Sequence, residues 1–276
     1  MTMPDPRTVF FVSDRTGITA EMLGNSLLSQ FEDFKFQRVT MPYVDTPEKI
    51  ESVLRRIDDV ATREGRRPLV FSSIVEESMS AQLGHANALV LDLFQVFIAP
   101  LESELNAKSS HAAGRSHGIA NSHEYFSRIE AVNFALAHDD GASTRDLAKA
   151  QIILVGVSRC GKTPTTLYLA LQFGIRAANF PLTPDDFADK TLPASVLPHR
   201  DRLVGLTINP ERLKQIRGER RPGSKYATLE NCRYEVREAE QMMQRESITV
   251  LDTTTKSIEE IATTLLHRAG LQRHAY

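Results

Sequence analysis

The sequence predicts an α/β protein of two domains: an N-terminal α/β domain with a mostly parallel sheet, and a C-terminal α/β domain built on a phosphate-binding loop. Three observations predict it. Strand-like and helix-like segments alternate along most of the chain, which favours parallel strands joined through crossover helices. A glycine loop, G-x-x-x-x-G-K-T at residues 156–163, lies between an apolar run and a helical pattern. Finally, 276 residues, 41% of them hydrophobic, suffice for two buried cores. The expected division is 1–145 and 146–276, with the boundary in "HDDGAST".

The elements follow in order. "TVFFVS" is a buried strand, and "ITAEMLGNSLLSQF" an amphipathic helix. "FQRVTMPYV" is a second strand, followed by a helix from Pro47 to about Glu64 that Thr46 can cap. "RPLVFSSI" and "ALVLDLF" are two more strands. The small, polar, aperiodic segment 106–122 is a loop or linker. A helix in "HEYFSRIEAVNFALA" precedes the expected boundary. After the glycine loop and its helix come "RAANFPL", a polar connection with prolines, and the strand "DRLVGLTI". "PERLKQIRGERRPGSK" begins as a helix at Pro210 and ends as a basic loop. A helix from about Leu229 to Glu246, the strand "ITVLDTT" and the helix "SIEEIATTLLHRAG" close the chain. No internal repeat is visible.

The loop "GVSRCGKT" is a P-loop, so the second domain is P-loop kinase-like. Gly156 and Gly161 let the backbone turn tightly and bring its N–H groups to an anion. The free amides and positive dipole end of the helix from about Lys162 reinforce them. Lys162, expected to be an exposed loop residue, reaches the terminal phosphates, and the Thr163 hydroxyl holds Mg²⁺. Pro164 is unusual, because proline disfavours helical geometry in the residue before it.

P-loop enzymes need a second carboxylate near Mg²⁺, placed after a strand. "ITVLD" supplies Asp252, whose alternative role is a turn or cap before the last helix. Asp92 has a similar local pattern but precedes the loop, and Asp201 begins a strand instead of ending one. The basic cluster Arg212, Lys214, Arg217, Arg220, Arg221 and Lys225 reads either as a solvated helix end or as a second phosphate-handling surface. "SDRTGIT", 13–19, is another strand-to-helix glycine turn, where Ser13, Thr16 and Thr19 can cap the helix or the same N–H groups can bind an anion, the capping role being favoured. His111, His117, His123 and His138 match no zinc spacing. Cys160 stands at a helix N-terminus beside Arg159 and Lys162, a setting that can lower a thiol pKa, but catalysis by it is not expected because the P-loop assigns that backbone to phosphate.

Charge excludes some partners. The net charge is −2, from 33 basic and 35 acidic residues, so nothing pulls the chain toward nucleic acid or membranes. The longest apolar stretch, "ALVLDLFQVFIAPL", is interrupted by Asp92 and Gln95 and is too short to span a bilayer. The opening apolar run is too short for a signal peptide, and two cysteines form no disulfide framework. The expectation is a cytoplasmic protein. A guanine-nucleotide switch is disfavoured: "TKSI" has Ile258 where a base-reading aspartate would stand, and "DRTG" lies upstream of the P-loop.

The motifs "SDRTGITAE", "YFSRIEAVNFALAHDDG", "GVSRCGKTPTTLYLA", "GLTINPERLKQIR" and "DTTTKSIEEIATTLL", in this order over nearly the whole chain, resemble the bifunctional regulatory proteins of the dikinases. The "SRCGKTPT" form is similar to the branch that acts on phosphoenolpyruvate synthase (pyruvate, water dikinase). The resemblance implies an ADP-dependent serine/threonine kinase that inactivates that enzyme by phosphorylating a threonine. It also implies a phosphorylase that removes the phosphate with inorganic phosphate, releasing pyrophosphate. The family's nucleotide loop maps onto Gly156, Val157, Ser158, Arg159, Cys160, Gly161, Lys162 and Thr163. Lys162 and Asp252 are then the catalytic candidates, and Thr163 and Asp252 the Mg²⁺ candidates. The Ala-, Ser- and His-rich middle segment departs from the family pattern. An ATP-dependent small-molecule kinase and a non-catalytic nucleotide sensor remain alternatives, and a homodimer is left open.

Overall fold

The computed structural model describes residues 6–110 and 122–271. The chain forms two compact units, residues 1–118 and 119–276. In the first, β1 (Arg7–Val12), β2 (Phe36–Met41), β3 (Leu69–Ser72) and β4 (Leu89–Asp92) form an all-parallel sheet in the order β2-β1-β3-β4. The helices are α1 (Ile18–Leu28), α2 (Pro47–Glu64), α3 (Glu77–Leu83) and α4 (Gln95–Leu105). Central β1 is apolar on both faces, as a strand covered on both sides must be. Val9 and Phe11 pack with Phe71 and with Ala20 and Leu28 of α1. Phe10 and Val12 pack with Ile50 and Ile57 of α2 and Leu83 of α3.

Local chemistry sets the ends of these elements. Thr46 caps α2 by accepting from Lys49 N, Pro47 occupies the first turn, and left-handed Gly65 (φ 63°) stops the helix. Gly24 lets α1 close on the sheet. A Cβ there would stand 2.5 Å from the Phe11 ring and 2.9 Å from Phe71, two rings stacked at 5.8 Å.

The second unit has the same plan. Its strands β5 (Ile152–Gly156), β6 (Ala177–Pro181), β7 (Leu203–Thr207) and β8 (Thr249–Asp252) are parallel in the order β6-β5-β7-β8. They are accompanied by α5 (Ser122–Ala137), α6 (Lys162–Phe173), α7 (Pro184–Asp189), α8 (Pro210–Arg220), α9 (Leu229–Arg245) and α10 (Ile258–Arg268). The sequence shows no repeat, yet each unit places its first strand second in the sheet and sends the next two strands to opposite sides of it. Side chains cap its helices: Asn209 accepts from Glu211 N and Arg212 N, and Ser257 forms a capping box with Glu260.

The division falls earlier than the expected 145/146 boundary. Helix α5 packs on α6 of the second unit through Ala131, Ala135 and Ala170, small residues that let the two helices approach closely. Of the expected linker 106–122, residues 111–121 lie outside the described residues, as do His111 and His117 and the side chain of His123. Among the described residues, no helix is long and apolar enough to cross a membrane.

Candidate active site

Strand β5 is buried along its whole length and delivers the chain into the glycine loop at the sheet's carboxyl edge. Gly156 admits no side chain: a Cβ would lie 2.3 Å from the Leu206 carbonyl oxygen and 3.0 Å from Cys160 Sγ. Arg159 (φ 75°) and Gly161 (φ 98°) are left-handed, and α6 starts directly at Lys162. Gly161 is the N-cap and provides no side chain, so the chain itself does not cap the first-turn amides of α6 with one. Pro164 falls within that first turn, where its missing N–H is harmless, and Thr163 remains helical before it.

The loop is fastened from outside. Arg217 Nη2 donates to Ser158 O (3.1 Å), Tyr226 Oη to Ser158 Oγ (2.9 Å), and Thr253 Oγ1 to Cys160 O (3.0 Å). Lys162 differs from the expected exposed residue. It is only 3% exposed, folded across the loop with Nζ donating to Val157 O at 3.0 Å. The Cys160 thiol does not have the lowered pKa that its place at a helix N-terminus suggested. Burial pushes its pKa up, outweighing the lowering by Lys162 and the loop amides, so it is no thiolate nucleophile.

The carboxylate beside Thr163 comes from an unforeseen place. The turn Asp139–Gly141 follows α5, in the segment expected to be only a boundary. Asp139 Oδ1 accepts from Thr163 Oγ1 (2.7 Å) and from Asn179 Nδ2 (2.6 Å). Asn179, fully buried in β6, also accepts from Asp140 N at 3.0 Å, and its own N–H donates to His138 O. His138 is buried, with Nδ1 2.8 Å from Phe134 O and Nε2 2.7 Å from Arg145 O, so it anchors the turn.

Asp252 is not brought to Thr163. It ends β8, which β7 separates from β5, and its Oδ1 accepts from the N–H and hydroxyl of Thr254. The residue of this segment that touches the loop is the neighbouring Thr253. Two adjacent acids before a glycine, "DDG", were the available signal for Asp139.

Asp139, Asp140, Arg159, Lys162 and Thr163 line a cleft of about 700 Å³ together with Arg220 and Arg221 from the end of α8. The basic cluster is therefore divided. Arg217 is completely buried, paired with Glu235 at 2.6 Å and stacked 4.0 Å over the Tyr226 ring. Arg212 is exposed and donates to Gln215. In the first unit, the side chains of the 13–19 turn bond the backbone of that turn and of the loop after β3. Ser13 Oγ accepts from Arg15 N and Asp14 Oδ2 from Val75 N, and no side chain caps α1 at Gly17. Among the described residues, no group of three or more His, Cys, Asp or Glu could hold a metal ion.

The sequence profile of the Kinase/pyrophosphorylase family matches residues 9–266. A Paraburkholderia xenovorans protein named "Putative phosphoenolpyruvate synthase regulatory protein" is 58% identical over 271 residues, covering 98% of this chain and 100% of that protein. Proteins of the same name from Burkholderia ambifaria and Burkholderia thailandensis are 58% identical over 269 residues, covering 98% of this chain and 99% of theirs.

Proposed function

The chain belongs to the kinase/pyrophosphorylase family, and on that premise we propose a bifunctional regulator of phosphoenolpyruvate synthase (pyruvate, water dikinase). It acts as an ADP-dependent serine/threonine kinase and as a phosphorylase that uses inorganic phosphate. The relatives' names support the partner, and the resemblance of the motifs supports ADP as donor. One observation carries the reading: the uncapped turn of α6, Lys162 and the Asp139–Thr163 pair share one cleft.

In the forward direction the threonine oxygen attacks the β-phosphorus of ADP. The bond from that phosphorus to the α–β bridging oxygen breaks, AMP leaves with the oxygen, and the hydroxyl proton is released. In the reverse direction an oxygen of inorganic phosphate attacks the phosphorus of phosphothreonine. The phosphorus–threonine bond breaks, the phosphate proton passes to the threonine oxygen, and pyrophosphate forms. Both directions place charge on phosphoryl oxygens, which the loop amides and Lys162 stabilise. Lys162 exchanges Val157 O for a phosphate oxygen.

Mg²⁺, when bound, neutralises phosphate charge, and the residues present fit it. Thr163 Oγ1 and Asp139 Oδ1 are hard oxygen donors side by side, and Mg²⁺ keeps several waters and takes few protein ligands. Asp139 thus takes the role the sequence suggested for Asp252. Both cysteines are free and buried, which suits the reducing cytoplasm.

The test is incubation of the purified protein with phosphoenolpyruvate synthase and β-labelled ADP or γ-labelled ATP. Label from ADP on a threonine, and pyrophosphate release on adding phosphate, are the expected results. Transfer from ATP alone, or binding without transfer, would replace this reading.

A further inference from the structure

The proposed reaction has two phosphate-bearing reactants in the reverse direction, and the P-loop accounts for one of them. The phosphothreonine dianion needs donors of its own. Helix α8 supplies cations in the same cleft: Arg220 ends the helix and Arg221 caps it, and both line the space with Lys162 and Thr163. Both are exposed at their own positions, so an incoming group can reach them.

The helix that carries them is fastened by a buried arginine one turn earlier. Arg217, on the same helix, donates to Ser158 O of the loop, to Tyr226 O and to Glu235, whose second oxygen accepts from Asn231 Nδ2 at 2.7 Å. A buried ion pair is weak evidence for stability, because desolvating both charges offsets most of their attraction. The separate bond from Arg217 to Ser158 O ties α8 to the phosphate loop, and the end of α8 that carries Arg220 and Arg221 lines the same cleft as Lys162.

We infer that Arg220 and Arg221 form a second phosphate subsite, specific for the phosphothreonine of the protein substrate. This rests on the proposed reaction. Guanidinium forks match a phosphate dianion and bind a neutral hydroxyl weakly. The subsite therefore favours the phosphorylated form of the partner and leaves ADP to the loop.

Two measurements test it. In steady-state kinetics, Arg220→Ala/Arg221→Ala should raise KM for the phosphorylated dikinase at least about tenfold. KM for ADP and for the unphosphorylated dikinase should stay within about threefold. Arg220→Lys/Arg221→Lys should recover part of the loss, because charge remains and the fork does not. An equal rise in KM for ADP would assign the arginines to the nucleotide site and overturn the inference. An equal rise for both forms of the dikinase would make them a general docking surface and overturn it too. The second measurement is calorimetric binding of matched phosphothreonine and threonine peptides to the full chain, which needs no turnover. Tighter binding of the phosphopeptide, lost in the alanine double variant, supports the subsite even if the wild type proves inactive; no such difference overturns it. A wild type that binds the phosphopeptide but transfers no phosphate would defeat the proposed reaction alone.

Discussion

The turn after β1 and the turn after β5 occupy the same place in two sheets of the same order. From the last strand residue to the left-handed glycine the spacing is equal, Val12 to Gly17 and Gly156 to Gly161. The glycines share a conformation (φ 83° and 98°), and each starts a helix without a side-chain cap. Arg15 and Thr19 stand where Arg159 and Thr163 stand. The differences are in the chemistry. Val12 replaces Gly156, and Ile18, 53% exposed, replaces the folded-in Lys162. A strand, a left-handed glycine and a helix are thus architecture common to both units; the lysine and the carboxylate at Thr163 distinguish the second.

The sharpest way to break this comparison is Lys162→Ala. It should lower phosphoryl transfer by about 10²–10³-fold, the usual cost of losing one donor to a transferring group. Labelled-ADP transfer measures it. Because Lys162 is buried, the variant also leaves Val157 O without its donor and should lose about 1–3 kcal/mol of stability in denaturant unfolding. Normal transfer would return the loop to the status of the β1 turn.

Asp139→Asn comes next. Mg²⁺-dependent turnover should fall at least about tenfold, with metal-free nucleotide binding nearly unchanged, whereas Asp252→Asn should be close to wild type. The opposite ranking in a Mg²⁺ titration would restore Asp252.

Gly24→Ala tests the first unit alone. The added methyl meets Phe11 and Phe71 and should cost about 1–3 kcal/mol in thermal or denaturant unfolding, while ADP affinity stays the same. The smallest effect is expected from Ile18→Lys, which places a lysine in the first turn of α1. Calorimetry should detect no ADP binding gained there, since the turn has Val12 and no carboxylate arranged as Asp139 is. A gain would show that the lysine alone separates the two turns.

Periodicity made most elements legible. Helix α2 runs from Pro47 to Glu64 as expected, and central β1 and β5 are continuous apolar runs. Helices α3 and α7 are too short for a helical period to show, and α4 continues an apolar run and carries Pro100 inside it. The repeated topology was invisible because it rests on strand order and on glycine conformation, with few shared identities. The turn from β5 into α6 was legible because its glycine spacing dictates the backbone's course, with Gly161 left-handed and the helix starting at Lys162. Asp139 was not, because what aims it at Thr163 is Asn179, forty positions away in sequence and adjacent only once β6 has formed.

The buried Cys160 makes the loop its own indicator. A thiol at a helix N-terminus is ordinarily open to electrophiles, but here the folded loop shields it and keeps it protonated. An alkylating reagent can then reach it only when the segment around Gly156–Thr163 swings open. The rate of alkylation at Cys160 therefore counts those openings, and any occupant of the cradle that holds the loop shut should slow the modification in proportion to its occupancy.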